Sequence, residues 1–424
     1  MLPAELNQLD DLSRRQFMAN VAKCSLGVSL LPFGLNDALA QSRTGGKAQR
    51  VIYLYMSGAM SQVDTFDPKP KSDVQGDTGV VSTAIPGVQF SEYLPKLAQR
   101  AKQLAVVRSL STSTGAHGPA RYLLRTSYSP IATTKHPGLG SWMHKKLGRI
   151  HKELPAAVQI GGGVGPGYMG AEFAPVPLGD PSKGLENTKQ PTYLKDSAFD
   201  KRMRLSAAFD SSFRRRAASN SKVSGYDDLY QEAIGLLRSK DLSAFDIMKE
   251  PAATRNAYGA SKFGRGALLA RRLVENGVRY VEVSLGSWDN HYELWNTLPD
   301  KAAELDNVAG QLLTDLQQRG LLKDTLVVIG TEFGRKPHIN ERNGRDHHPA
   351  AFSSVLAGGG IKGGQVYGAT DADAFHVEDD QVSVEELNAT IATALGIRHD
   401  QEIHSPDGRP FTIGNGGKPI AKLL

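Results

Sequence analysis

Short, unbroken apolar runs constrain this chain more than any other feature. Val51-Ile52-Tyr53-Leu54-Tyr55-Met56 is the clearest, and comparable runs occupy 104–107, 156–160, 280–285 and 325–329. A strand covered on both faces reads this way, because its side chains meet protein on either side of the sheet. Helical patterns over 261–276 and 301–319 lie between the runs. Strands alternating with helices predict an α/β fold, a three-layer sandwich in which helices flank a mainly parallel central sheet. Residues 51–424 read as one domain. A Gly- and Pro-rich surface loop at 161–192 and a charged helical stretch at 194–259, clearest over 226–237, form an insertion at about 161–260. Gly358-Gly359-Gly360-Ile361-Lys362-Gly363-Gly364 lacks the spacing of a nucleotide-binding loop and predicts a tight crossing between strands.

The first forty residues carry a separate message. Ser13-Arg14-Arg15-Gln16-Phe17-Met18 supplies paired arginines, a mostly apolar stretch follows from Ala22 to Leu35, and Ala38-Leu39-Ala40 offers a small-x-small cleavage pattern. Together these predict a twin-arginine signal peptide over 1–40, recognised by the Tat export machinery, and a polar linker over 41–50. The apolar stretch is shorter than the ~20 residues of a membrane span, so the released protein is expected to be periplasmic or secreted and not membrane-embedded. Cys24, the single cysteine, falls within the signal, and its removal excludes disulfides, thiolate metal sites and cysteine nucleophiles. The signal holds three Lys/Arg and four Asp/Glu, so the overall charge of +6 becomes +7 in the remainder. These basic residues are scattered and no nucleic-acid motif accompanies them. A nucleic-acid partner is therefore not expected, and slight attraction to anionic substrates is.

Open α/β sheets bind ligands beyond the carboxyl ends of their strands. Three loops there carry metal-ligand residue types. Asp289 and His291 follow the 280–285 run. Glu332 follows the 325–329 run, in Thr331-Glu332-Phe333-Gly334-Arg335, where it must be solvated, paired with Arg335, or bound to a cation. Asp346 and His347 stand in Gly344-Arg345-Asp346-His347-His348-Pro349. Asp289, His291, Glu332, Asp346 and His347 make a full ligand set for one divalent cation, and Arg345 offers a planar fork to an oxyanion.

These residues resemble the sulfatase and alkaline phosphatase superfamily. Leu305-Asp306-Asn307-Val308-Ala309-Gly310-Gln311-Leu312-Leu313 with Asp324-Thr325-Leu326-Val327-Val328-Ile329 looks like a helix and strand of those enzymes. There the strand runs into Ser-Asp-His-Gly, where Asp and His bind metal. Here Glu332 replaces the Asp, and Phe333 stands where the His would be. The superfamily's nucleophile motif, Cys-x-Pro-Ser-Arg, is matched by His117-Gly118-Pro119-Ala120-Arg121, with His117 in the nucleophile's place. Met56-Ser57-Gly58 sits where the first Asp ligands belong, and the nearest carboxylate is Asp64. The signal together with Asp64-Thr65-Phe66-Asp67-Pro68-Lys69-Pro70, Thr-Glu-Phe-Gly-Arg and Gly-Arg-Asp-His is closer to a family of Tat-exported, sulfatase-like bacterial proteins.

The resemblance implies an alkaline-phosphatase-like fold and metal-dependent hydrolysis of an anionic sulfate or phosphate ester, on a small molecule or glycan. The cofactor would be a divalent ion such as Zn, Mn or Ca, with Asp64 a further ligand and Arg121 holding the ester's oxygens. His117 could be a ligand, a general base or a phosphoryl acceptor. Ser111, Thr112, Ser113 or Thr114 could instead supply a hydroxyl nucleophile. Alternatively His117 caps its helix, and the protein is a catalytically degenerate binding or scaffold relative.

Overall fold

The computed structural model describes residues 45–185 and 239–424, with positions 201, 205 and 236 between them. The signal peptide and most of the helical stretch expected at 226–237 lie outside the described residues.

Among the described residues, the five apolar runs become strands of a nine-stranded sheet. Its strands are β1 (Arg50–Met56), β2 (Leu104–Ser111), β3 (Ala157–Ile160), β4 (Val176–Leu178), β5 (Tyr280–Leu285), β6 (Thr325–Thr331), β7 (Phe352–Gly358), β8 (Gln365–Tyr367) and β9 (Val382–Ser383). The spatial order is β8-β2-β7-β6-β1-β5-β3-β4, with β9 also paired to β2. Only β7 runs against its neighbours β2 and β6, and the remaining pairings are parallel. The mainly parallel sheet expected from the sequence is therefore observed.

β1 shows why its apolar run is continuous. Ile52, Leu54 and Met56 face one hydrophobic cluster with α3 (Lys262–Glu275) and α4 (Leu298–Gln318). Val51, Tyr53 and Tyr55 face a second cluster with α1 (His117–Thr126), α2 (Leu139–Leu147) and α5 (Val384–Ala394). Both faces of the pleat are dry, giving three layers. Helix starts follow local chemistry. Ser261 caps α3 by accepting from Gly264 N, and Ser383 and Glu386 close a capping box on α5.

Two boundaries differ from expectation. The loop expected at 161–192 contains β4, an edge strand parallel to β3. The linker expected at 41–50 is tied to the body before it ends: Ala48 N donates to Ala394 O at 3.0 Å and Gln49 N to Asp324 O at 2.7 Å. In the insertion, the described residues from 240 on form two 3-10 turns and the helix Ala252–Tyr258. The glycine-rich segment at 358–364 crosses from β7 to β8 as expected. Gly358, Gly359 and Gly360 all have positive φ, and a Cβ on Gly358 would meet two carbonyl oxygens at 2.5 Å.

Candidate metal centre

Parallel strands deliver their following loops to one edge of a sheet. Met56 is level with Leu285 on one side and Thr331 on the other, so the chain leaves β1, β5 and β6 together. β2 leads to α1 at the same edge, and β7 enters from it. The two-residue antiparallel bridge between Gly334–Arg335 and His347–His348 holds the last loop down. His117, Asp289, His291, Glu332, Asp346 and His347 thereby meet, although 215 positions separate His117 from the Glu332 it contacts.

The proton positions follow from the partners. His347 Nδ1 lies 2.7 Å from Gly115 O, an atom that can only accept, so Nδ1 carries the hydrogen. His291 Nδ1 lies 2.9 Å from Asp346 Oδ1, and His117 Nδ1 lies 2.9 Å from Glu332 Oε1. Both carboxylates are held below their usual range: Asp346 chiefly by the His291 hydrogen bond, Glu332 by bonds from His117 and Tyr55 that outweigh burial. They accept, and the two Nδ1 atoms donate. When such a ring is neutral, its lone pair is then on Nε2.

Those three Nε2 atoms gather around the Asp289 carboxylate. His291 Nε2 and His347 Nε2 are 3.0 Å apart, and Asp289 Oδ1 lies 3.1 and 3.2 Å from them. His117 Nε2 is buried without a hydrogen bond, 3.3 Å from Asp289 Oδ2. One ligand atom each from His117, Asp289 and His347 lies within 4.8 Å of the others. Facing lone pairs at such distances repel unless a cation sits among them, and imidazole nitrogens with one carboxylate suit a transition-type divalent ion. The donor set fits a metal.

The surroundings favour the same state. Burial and the neighbouring Arg335 charge lower the proton affinity of His347, which keeps it neutral. Burial would raise the Asp289 pKa, but the hydrogen bond and charge of Arg335 bring it to about 2. The hydrogen bond to Glu332 raises the proton affinity of His117 against burial, and the same carboxylate would strengthen its bond to a metal. Phe333, which cannot ligate, packs its ring 4.9 Å from those of both His117 and His347 and steadies them.

Several expected roles change. Glu332 and Asp346 stand behind histidines: Glu332 binds the His117 Nδ1, the Tyr55 hydroxyl at 2.7 Å and Gly58 N at 2.9 Å, and Asp346 takes His291 and Asn340. Asp64 and Arg345 do not reach the basin. Both side chains are fully buried and paired with each other, Nε to Oδ2 at 2.7 Å and Nη2 to Oδ1 at 3.0 Å, with Thr78 completing the carboxylate. Neither is placed to bind an ion or an oxyanion. His117 does not cap α1. It is the first helical residue, the N-cap is Ala116, and its ring turns to Glu332. The pair Glu332–Arg335 does not form. Arg335 donates instead to Asp289, to Gly58 O and Ala59 O, and its Nη1 lies 3.4 Å from His291 Nε2. Arg121 is exposed one turn along α1, its Nε 3.3 Å from His117 O.

Sequence reasoning missed Arg335, Asn340 and Tyr55 as members of this site. Arg335 had a signal, its place four residues beyond the end of a central strand. The other two act through contacts that no local pattern encodes.

A family model described as "Protein of unknown function (DUF1501)" matches residues 48–424. None of the curated proteins matches the sequence. Among solved structures, the chain is similar to the sulfatase PsFucS1 from Pseudoalteromonas sp., at 14% identity over 87% of this chain and 72% of that one, with a TM-score of 0.37. It is similar to a protein in the alkaline phosphatase superfamily from Vibrio parahaemolyticus, at 8% identity over 97% and 79%, with a TM-score of 0.42. A third likeness is to the phosphonate monoester hydrolase of Agrobacterium radiobacter, at 11% identity over 89% and 77%, with a TM-score of 0.39. Likenesses this distant leave the chemistry to the side chains.

Proposed function

Because this chain belongs to that family of unknown function, its chemistry must come from its own geometry, and we propose that it is an exported, metal-dependent hydrolase of anionic sulfate or phosphate esters. One observation carries the reading: three imidazole Nε2 atoms each lie within 3.3 Å of an Asp289 carboxylate oxygen, while each Nδ1 is fixed by Gly115 O, Asp346 or Glu332. His117, Asp289, His291 and His347 would hold the ion. A divalent cation there supplies Lewis acidity to an ester oxygen and a source of nucleophile near neutral pH. Glu332, Asp346 and the Gly115 carbonyl orient the rings. Arg335 offsets the charge of Asp289 from beneath, and Arg121 presents its guanidinium to the ester's oxygens from the solvent side of α1.

Elemental analysis of the purified, chelator-protected protein tests this. We expect about one equivalent of a divalent metal per chain, lost in His347→Ala, with hydrolysis of aryl sulfates or phosphates lost alongside it. Metal-free protein would end the proposal. A second reading draws on Arg335, whose guanidinium already supplies one cation to Asp289 and borders His291. In that reading the basin is closed by its own arginine, and the protein binds without turnover. Metal content decides between them.

Export rests on Ser13-Arg14-Arg15 and Ala38-Leu39-Ala40. No helix among the described residues is long and apolar enough to cross a membrane. Arg14→Lys with Arg15→Lys should hold the full-length chain in the cytoplasm, and N-terminal sequencing of the exported protein should start at Gln41. Export of the double-lysine variant at the parental level would remove the route.

A further inference from the structure

A cleft of about 560 Å³ is lined by Gly118, next to His117, and by Tyr55, whose hydroxyl binds Glu332. Its lining includes Arg121, Arg125 and Lys262, and no Asp or Glu. Arg125 is neutralised by Glu282 at its back, Nε to Oε1 at 2.8 Å. Lys262 opens α3 and is exposed, and among the described residues neither it nor Arg121 has a carboxylate partner. A cation at the first position of a helix opposes the helix dipole, so local stability does not explain Lys262. The floor is Gly161-Gly162-Gly163 and Ser284. Ser284 Oγ is buried and makes no hydrogen bond, although it could both donate and accept. A Cβ on Gly161 would lie 3.3 Å from the Ser284 Cβ, so a side chain there would crowd the one orphaned hydroxyl of the floor. A concave surface with uncompensated positive charge, an unused hydroxyl and bare backbone is built for oxyanions.

We infer that this cleft is a subsite for a second anionic group on the substrate, held by Lys262 and Ser284 while the ester itself lies in the adjoining basin. The inference rests on the proposed ester chemistry and narrows it. The preferred substrate carries at least two oxyanions within one small-molecule length. A neutral leaving group would leave Lys262 and Ser284 unused.

Calorimetric titration of the full-length protein tests the subsite without requiring turnover. The probes are a disaccharide without carboxylates that carries two sulfates and the same disaccharide with one. The parent should favour the doubly sulfated probe by at least ~10-fold at low salt, and that preference should weaken as salt rises. In Lys262→Met the preference should fall to within about twofold, and Lys262→Glu should disfavour the second sulfate. Thermal unfolding of both variants near the parental midpoint shows that they are folded. Absence of a preference in the parent, or its survival in both variants, overturns the subsite. A protein that shows the preference but contains no metal and hydrolyses nothing fails the hydrolase reading and keeps the cleft. One that hydrolyses aryl esters and ignores the second sulfate does the reverse.

Discussion

Imidazole has two nitrogens, and at this site the partner of one decides the use of the other. That makes Glu332 a more informative position than any direct ligand. It is buried, and besides His117 it accepts from Tyr55 and Gly58. Glu332→Gln keeps the shape but removes the charge that fixes the His117 tautomer. Metal affinity, read by competition with a chromophoric chelator, should fall about 10- to 100-fold while the fold survives. Undiminished affinity would mean that His117 does not bind the ion. Asp64 behaves in the opposite way. Removing it leaves the Arg345 guanidinium buried and unpaired, so Asp64→Ala should cost about 3–5 kcal/mol in denaturant unfolding. If Asp64 were a ligand, metal would be lost and stability largely kept. The sequence disclosed which residue types gather here, because Asp289 and His291 follow the end of one strand and His347 precedes the start of another. It could not separate ligands from supports, since that depends on Gly115 O, Asp346 and Glu332 facing particular ring nitrogens. Nor could it reveal that Asp64 and Arg345, 281 positions apart, consume each other.

Long elements were legible because their patterns repeat enough times to be distinctive. The 261–276 and 301–319 periodicities became Lys262–Glu275 and Leu298–Gln318. Three-residue strands carry no such signal, and β4 holds a proline, Pro177, tolerable only because this strand sits at the edge of the sheet. Spacing between layers is set by single residues in the same elements. Gly266 lies in α3 where a Cβ would stand 2.7 Å from Val283 Cγ1 of β5. In most helices Gly→Ala gains up to ~1 kcal/mol. Here the added methyl must push α3 off the sheet, and Gly266→Ala should lose stability instead, with Gly266→Val losing about 1–3 kcal/mol. Because β5 leads directly to Asp289, the valine variant should also weaken metal binding. Parental stability in the alanine variant would show that helix and sheet are not in close contact there.

Across the whole molecule the histidines fall into groups with opposite effects on pH dependence. His144 in α2 is buried, and burial, with help from Arg149 and Arg279, lowers its pKa from 6.5 to about 3. Burial lowers His136 and His348 as well, whereas His117 is raised by Glu332. For a lowered histidine the unfolded chain takes up a proton that the folded one refuses, so stability falls as pH drops below about 6.5. His117 contributes the reverse, stability present below 6.5 and lost as pH rises through its folded value. Asp289 at about 2 adds loss only below its ordinary 3.8. The interval from 6.5 to 4.5 therefore isolates the buried imidazoles, and His144 dominates by depth. By linkage its contribution to the loss at pH 5 is about 2 kcal/mol. Chelator-treated protein should thus unfold in progressively less denaturant across this interval. His144→Gln, which cannot protonate, should start less stable at pH 7 and yet decline less steeply. If parent and variant fall in parallel, His144 is solvated well enough to ionise in place, and the face of the sheet covered by α2 is less dry than its packing requires.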